Sequence, residues 1–334
     1  MALQWLTNLQ WFTFALRAFT KQGYQRAAAR FDNSALDPAR NAGKLVIMTG
    51  ANAGLGFAAA SALASAGCSV LMLCRNRERG EAAAAAARAA SGGGDVQLGV
   101  CDVSSLESIK AFSDHFLASE GRPLHALVNN AGALLLERGS TEGGLDLGFA
   151  TNTLGGLALT ARLLPALRRA PGARVVFVSS GGMYTAPLEL EGWEDDGKPW
   201  DGTRAYALDK RRQVAQAEEL ARRWGPMGVT VVSMHPGWAD TPGVRSSLPG
   251  FSESMGSRMR APAEGADTMV WLSLEDAAKL EPGAFYLDRA PQVKHLRLSG
   301  TAYPSPRAAA LVDGLLAMAG LQPGAEGGGG GGGD

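Results

Sequence analysis

From Lys44 onward, short apolar runs alternate with longer stretches of helical pattern, and that alternation restricts the fold more than any other feature of the chain. The runs are Leu45–Met48, Val70–Leu73, Val96–Val100, Ala126–Val128, Arg174–Val178, Val229–Met234 and Ala284–Leu287. Several are apolar almost without interruption, as in parallel strands covered on both faces. Between them, Phe57–Ala66 and the Ala-rich Glu81–Ala90 have high helix propensity, and Ser104–Ser119 opens on a Ser-x-x-Glu box at Ser104 and Glu107. Strands alternating with helices predict βαβ units and an α/β fold, a doubly wound parallel sheet with helices on both faces. At 334 residues, 46% of them hydrophobic, one domain of this class has ample material for its core.

The chemistry lies in the segments at the carboxyl ends of these runs. After the first comes Thr49-Gly50-Ala51-Asn52-Ala53-Gly54-Leu55-Gly56, leading into the first helix. Glycines there let the backbone turn and let a pyrophosphate approach, while the helix N-terminus offers free N–H groups. Gly56 allows close packing of helix on sheet. A Walker loop is excluded, since glycine would have to stand at Leu55 and lysine at Gly56. After the second run, Cys74-Arg75-Asn76-Arg77 has no acid before Glu78, the place where an NAD site usually has a carboxylate for the ribose. Arg75 suits a 2′-phosphate instead, which favours NADP(H) over NAD(H). Further on, Tyr206 and Lys210 stand four residues apart in a helical stretch reaching Trp224, and so share a face. A nearby ammonium lowers a phenol's pKa, which would fit Tyr206 for proton exchange with an alcohol or carbonyl oxygen during hydride transfer. The fifth run leads straight into Ser179-Ser180-Gly181-Gly182, placing the Ser180 hydroxyl at the carboxyl edge of the sheet.

Other features narrow the function class. With 32 basic and 32 acidic residues the chain has no excess charge for nucleic acid. Cys68, Cys74 and Cys101 lie in or beside apolar runs without Cys-x-x-Cys spacing, as buried thiols of a reducing compartment would. His115, His125 and His295 lack partners at metal-ligand spacing, so no metal site is expected, and His235 is read as a packing residue. Residues 1–31 carry Arg17, Lys21, Arg26 and Arg30 but no acid, and Leu3, Leu6, Leu9, Phe12, Leu16 and Phe19 recur at helical spacing. Polar residues interrupt this face too often for a membrane span of about 20 residues. Three readings stand: a helix packed on the domain, a membrane-surface helix, or an organelle-targeting peptide. The chain then divides into an N-terminal amphipathic helix and connector (1–42), a single oxidoreductase domain (43–320) and a Gly-rich tail (321–334) expected to be disordered.

Taken together, Thr49-Gly50-x-x-x-Gly54-x-Gly56, Asn129-Asn130-Ala131-Gly132, Asn152, Ser180, Tyr206/Lys210 and Pro236-Gly237 resemble, in order and spacing, the short-chain dehydrogenases/reductases over roughly residues 43–290. The resemblance implies a single Rossmann domain with a seven-stranded sheet and a nicotinamide cofactor. It also implies that Asn152 holds a water in a proton relay to Lys210, that Ser180 orients substrate, that Tyr206 is the acid/base, and that Lys210 binds the nicotinamide ribose and tunes Tyr206. Asp102 and Val103 would contact adenine, Asn130 would border the cofactor with Ala131 and Gly132, and Thr241 would meet the carboxamide. Lys21-x-Gly23-Tyr24, Asp201-Gly202-Thr203, His235–Gly243 and Gly265–Met269 are similar to one branch of that family, through the N-terminal helix, which argues against a cleaved targeting peptide. The wider branch resembles retinol dehydrogenases and protochlorophyllide reductases, implying a bulky apolar carbonyl or alcohol substrate. The 25 residues between Ser180 and Tyr206, with Trp193, Glu194-Asp195-Asp196 and Trp200, are a substrate mouth or a surface loop, and Pro242–Met259 is a candidate mobile lid. A catalytically silent NADP(H)-binding module and a sugar epimerase are the alternatives. Oligomeric state and location, cytoplasmic, peripheral on a membrane or in an organelle, stay open.

Overall fold

The computed structural model describes residues 2–119, 121–193, 197, 199–297 and 299–322. The glycine run of the tail and Glu194–Asp196 lie outside the described residues. Helices α1 (Ala2–Ala18), α2 (Lys21–Ala28) and α3 (Pro38–Asn41) precede β1 (Leu45–Thr49), α4 (Gly54–Ser65), β2 (Ser69–Cys74), α5 (Arg77–Ala90), β3 (Val96–Val100) and α6 (Leu106–Ser119). Then come β4 (Ala126–Asn129), α7 (Leu147–Phe149), a π-helical turn (Ala150–Leu154), α8 (Gly155–Leu167), β5 (Ala173–Val178), α9 (Gly202–Trp224) and β6 (Val229–Met234). The chain continues through α10 (Pro242–Ser247), α11 (Pro249–Met255), α12 (Pro262–Leu274), β7 (Phe285–Leu287), β8 (Ala290–Gln292) and α13 (Ser305–Met318).

The strands form one sheet in the order β3-β2-β1-β4-β5-β6-β7-β8. β1 pairs in parallel with both β2 and β4, so the winding reverses between β1 and β4, and a ligand crevice opens at that point of the carboxyl edge. Side chains alternate across the sheet. Leu45 and Ile47 join Phe116, Leu157, Leu220, Trp224 and Leu315 on the face covered by α6, α8, α9 and α13. Val46 and Met48 join Leu63, Ala84, Met269 and Leu272 on the face covered by α4, α5 and α12.

Two expectations need correction. The sheet has eight strands, not seven, because β8 pairs antiparallel with β7 across a two-residue turn. Its central residues, Asp288 and Arg289, both have positive φ (52° and 58°), the geometry of a tight hairpin turn that usually takes Asn or Gly. Here ion pairs hold it instead: Arg260 grips Asp288 at 2.6 and 2.9 Å, and Arg289 grips Asp267 at 2.9 and 2.6 Å. Helix α6 begins at Leu106, and the box at Ser104 and Glu107 does not form. The Ser104 hydroxyl donates to Asp102 (2.7 Å), and Ser105 accepts from the Ser108 N–H (3.2 Å). The candidate lid Pro242–Met259 folds into α10, α11 and a short 3-10 turn.

The N-terminal helix packs on the domain over the residues whose side chains are described. Ala15 and Phe19 are fully buried against Met183, Tyr184, Val214, Phe285 and Leu287. At the corner between α1 and α2 the Thr20 hydroxyl accepts from the Gly23 N–H (3.3 Å), and a Cβ on Gly23 would lie 2.4 Å from the Ala18 carbonyl oxygen. Arg260, itself buried, donates to the carbonyls of Ala18 (2.7 Å) and Phe19 (3.0 Å) that end α1, tying it to the β7–β8 turn. No described helix is long and apolar enough to cross a membrane.

Candidate active site

At the β1/β4 crevice the last residue of β1 is locked to the residues that follow β4. The Thr49 hydroxyl accepts from the N–H groups of Asn130 (3.0 Å) and Ala131 (2.9 Å). The Asn130 amide donates back to the carbonyls of Thr49 (3.0 Å) and Gly50 (3.1 Å). Gly50 has φ +63°, and a Cβ there would lie 2.8 Å from Ala131 Cα. A Cβ on Gly56 would lie 2.3 Å from the Gly50 oxygen and 2.6 Å from Asn130 Nδ2, so only glycine lets α4 sit this close to the crevice. Among the described residues no side chain caps the N-terminus of α4. Its N-cap, Ala53, is exposed beside exposed Asn52, which leaves the N–H groups of Gly54, Leu55 and Gly56 facing the crevice end of the helix.

The remaining cofactor candidates gather along the same edge. Gly54 faces Thr241, and a Cβ on this glycine would lie 3.3 Å from the threonine Cβ. Gly237, at φ +74°, leaves room for the Arg260 guanidinium, which also donates to the Pro236 carbonyl (3.3 Å). Leu55 packs against Gly265 of α12. Arg75 is exposed at the end of β2 and forms no ion pair among the described residues, while Arg77 pairs with Glu81 at 3.7 Å. Asp102 and Val103 follow β3 and are partly buried. These donors, the uncapped helix and the glycines at 50, 54 and 56 fit a dinucleotide.

Across the crevice, α9 carries Tyr206 and Lys210. Tyr206 is half-buried and Lys210 buried, with the Lys210 Nζ 5.2 Å from the Tyr206 ring centroid. The ammonium donates to the Val178 carbonyl (2.9 Å) and to Gln213 Oε1 (3.0 Å). Burial pushes Lys210 down to about 8, opposed by the charge of Asp209. The expected lowering of Tyr206 by that ammonium is not what the protein alone produces. Burial pushes the phenol up to about 12, the Ser180 hydroxyl pulls it down by hydrogen bonding, and Asp209 adds to the rise. The physical reason is that desolvation dominates at the phenol, while burial also disfavours the charge on Lys210. Ser180 caps the turn Gly181–Thr185, accepting from the Gly182 N–H (3.3 Å), and its hydroxyl hydrogen-bonds Tyr206 of α9. His235 is a packing residue: Nδ1 accepts from the Gly181 N–H (3.0 Å), the ring lies 4.3 Å from Phe19, and burial beside Arg260 holds its pKa well below the usual value. Gly132 sits over the pair, its Cβ position 3.1 Å from Lys210 Nζ and 3.0 Å from Asn152 Oδ1.

Asn152 lies in the π-helical turn, a local widening frequent at functional sites. Its amide is fully engaged, accepting from the Ala133 N–H (2.8 Å) and donating to the Ala133 carbonyl (2.9 Å) and Asp209 (3.1 Å). Its backbone carbonyl accepts from Gln213 Nε2 at 2.6 Å. Asp209, Arg212 and Gln213 were missed as site residues. Asp209 also accepts from Thr153 (2.8 Å) and pairs with Arg212 (2.9 Å), both side chains almost wholly buried. Arg212 donates to the Glu189 and Glu191 carbonyls and lies over the stacked rings of Phe149 and Trp193. The available signal was spacing: 206, 210 and 213 share one face of a helix. The stretch before Tyr206 contributes to the mouth, where Trp200 Nε1 donates to the Leu135 carbonyl (3.1 Å), Ser247 of α10 donates to the Leu134 carbonyl (2.9 Å), and Leu136 stands 64% exposed. Among the described residues no cluster of His, Cys, Asp or Glu could hold a metal ion, and all three cysteines are buried.

Comparison with known proteins agrees with this geometry. The model of the short chain dehydrogenase family matches residues 44–250. The chain is 41% identical over 300 residues to human "Dehydrogenase/reductase SDR family member 12", covering 90% of this chain and 93% of the relative. It is 33% identical over 250 residues to human "Retinol dehydrogenase 11", covering 74% and 77%. A crystal structure of an uncharacterized protein from Mycobacterium paratuberculosis superposes with a TM-score of 0.66 at 27% identity, covering 86% of this chain and 98% of that one. The chain belongs to the short-chain dehydrogenase/reductase family, and is an oxidoreductase of that family.

Proposed function

We propose that the protein is an NADP(H)-dependent oxidoreductase that exchanges hydride with a carbonyl or alcohol carbon of an apolar substrate of retinoid, steroid or lipid type. The observation that carries this reading is the placement of Tyr206 and Lys210 one helical turn apart, beside Ser180 and facing the Thr49–Asn130 crevice at the carboxyl edge of the sheet. The N–H groups of Gly54, Leu55 and Gly56 would take the pyrophosphate, and Arg75, with no carboxylate before Glu78, would take a 2′-phosphate. Asn52, Asp102, Val103, Asn130, Ala131 and Gly132 would border the nucleotide, with Pro236, Gly237 and Thr241 at its nicotinamide end. The bound nicotinamide supplies the hydride chemistry. Tyr206 gives its phenolic proton to the substrate oxygen in reduction and accepts one in oxidation, with Ser180 orienting that oxygen. Two of the three N–H bonds of Lys210 go to Val178 and Gln213, which leaves the third for a ribose hydroxyl.

The apolar character of the substrate is supported by Leu134, Leu135, Leu136 and Trp200 around the mouth, and by the similarity to retinol dehydrogenases. A peripheral membrane contact through residues 1–31 would have to use the outer side of α1, where Phe12 is 47% exposed. The test is turnover of retinal, steroid ketones and aliphatic aldehydes with NADPH and with NADH. Tight NADPH binding without turnover across that panel would instead support the silent binding module.

A further inference from the structure

Tyr206, Lys210 and Gln213 lie on one face of α9, and the third of them makes a direct bridge. Gln213 Oε1 accepts from the Lys210 ammonium at 3.0 Å, and Gln213 Nε2 donates to the Asn152 backbone carbonyl at 2.6 Å. Lys210 and Gln213 are each 2% exposed and Asn152 is 1% exposed, so bulk water competes for none of these bonds. The amide therefore spans the place where the family resemblance puts a water between Lys210 and Asn152. Water and amide differ in two ways. A water can reverse its donor and acceptor ends, whereas a carboxamide has one carbonyl and one NH2 of fixed polarity. Near neutral pH a water can pass a proton along, while a carboxamide neither gives one up nor takes one. The titratable groups facing Lys210 are Tyr206 and Asp209 of its own helix, with Asp209 paired to Arg212; β5 and the π-helical turn face it with the neutral Val178 carbonyl and Asn152.

We propose that Gln213 is a positioning residue for proton transfer, whose side-chain amide holds Lys210 in its charged form and fixes the Asn152 carbonyl by a direct bridge in place of water. The inference rests on the role of Tyr206 and Lys210 proposed above, but its first readout does not need turnover. In protein labelled with 13C,15N-lysine and free of nucleotide, the Cε and Nζ signals of Lys210 are assigned with Lys210→Arg and followed against pH. Gln213→Leu removes an acceptor from a buried ammonium, and the Lys210 midpoint is expected to fall by about one pH unit or more. Gln213→Glu keeps the shape and places a carboxylate there, and the midpoint is expected to rise. The pH profile of kcat should move in the same two directions, with the KM for NADPH changed less than about threefold. A residue that only filled space would not move the midpoint in opposite directions in the two variants. Midpoints within about 0.3 of wild type in both, or shifts of the same sign, overturn the proposal. If no substrate turns over, the NMR result still decides the role of Gln213, while the proposed activity fails by itself.

Discussion

Gly56→Ala tests whether the crevice depends on close approach of α4, because two physical effects of the substitution have opposite signs. Inside a helix, alanine is favoured over glycine by about 1 kcal/mol, so propensity alone makes the variant more stable. The structure sets against this a Cβ 2.3 Å from the Gly50 carbonyl oxygen and 2.6 Å from Asn130 Nδ2. Backbone cannot yield as a side-chain tip does, and relief requires α4 to lift or Asn130 to leave its two carbonyl partners, Thr49 and Gly50. Overpacking costs about 1–3 kcal/mol and each lost hydrogen bond about 1 kcal/mol. The sum outweighs propensity and leaves a net loss of about 2 kcal/mol, a fall in Tm of about 4 °C for a chain of this size. Gly314→Ala is the internal control. Gly314 is exposed within α13, and a Cβ there meets nothing within 4 Å, so only the propensity gain remains and Tm should rise by about 1–2 °C. Differential scanning calorimetry of the three proteins under identical buffer reads both signs. If Gly56→Ala melts at or above the temperature of Gly314→Ala, the close-approach reasoning is wrong.

Three further outcomes are expected. Arg75→Ala should weaken NADPH binding about tenfold, from loss of a charge-assisted bond to the 2′-phosphate, and leave NADH binding nearly unchanged in fluorescence titrations; equal loss for both removes the phosphate assignment. Asp209→Ala strands the buried Arg212 and should cost about 3–5 kcal/mol in urea unfolding, whereas the double variant Asp209→Ala/Arg212→Met should recover much of that; a double variant as unstable as the sum of the singles would show no coupling. Burial pushes Lys210 down to about 8 in the folded chain from its ordinary 10.5, so between those values the unfolded chain binds more protons and this group's contribution to stability rises with pH. The stability of wild type relative to Lys210→Met should therefore increase from pH 8 to pH 10, and a constant difference would mean that Lys210 titrates normally.

Much of this molecule was legible because its signals are local. Each buried parallel strand is a nearly continuous apolar run, and the observed strands agree with the runs to within a residue or so at each end. The glycine loop, Ser180 and Tyr206/Lys210 announce themselves through spacing along one strand–turn–helix or one helix face. The features that stayed hidden depend on distant partners. Arg260 reaches the carbonyls of Ala18 and Phe19 from 241 residues away or more, and no periodicity reveals such a contact. The β7–β8 turn has no glycine at its positive-φ positions, because ion pairs with Arg260 and Asp267 replace the usual turn chemistry. The box at Ser104 failed because Asp102, two residues earlier, captures the serine hydroxyl. Asp209 and Gln213 carry no motif of their own, and their bonds to Asn152 appear only once the π-helical turn is in place.

Single-turnover reduction of a carbonyl substrate by NADPH, compared between wild type and Tyr206→Phe, tests the proposed chemistry most directly. The phenyl ring preserves the half-buried packing and removes only the hydroxyl, so nucleotide affinity should stay within a few-fold while the hydride-transfer rate falls by about 100-fold or more. Equal rates in the two proteins would contradict Tyr206 as the proton donor and, with it, the assignment of the α9 face as the catalytic surface.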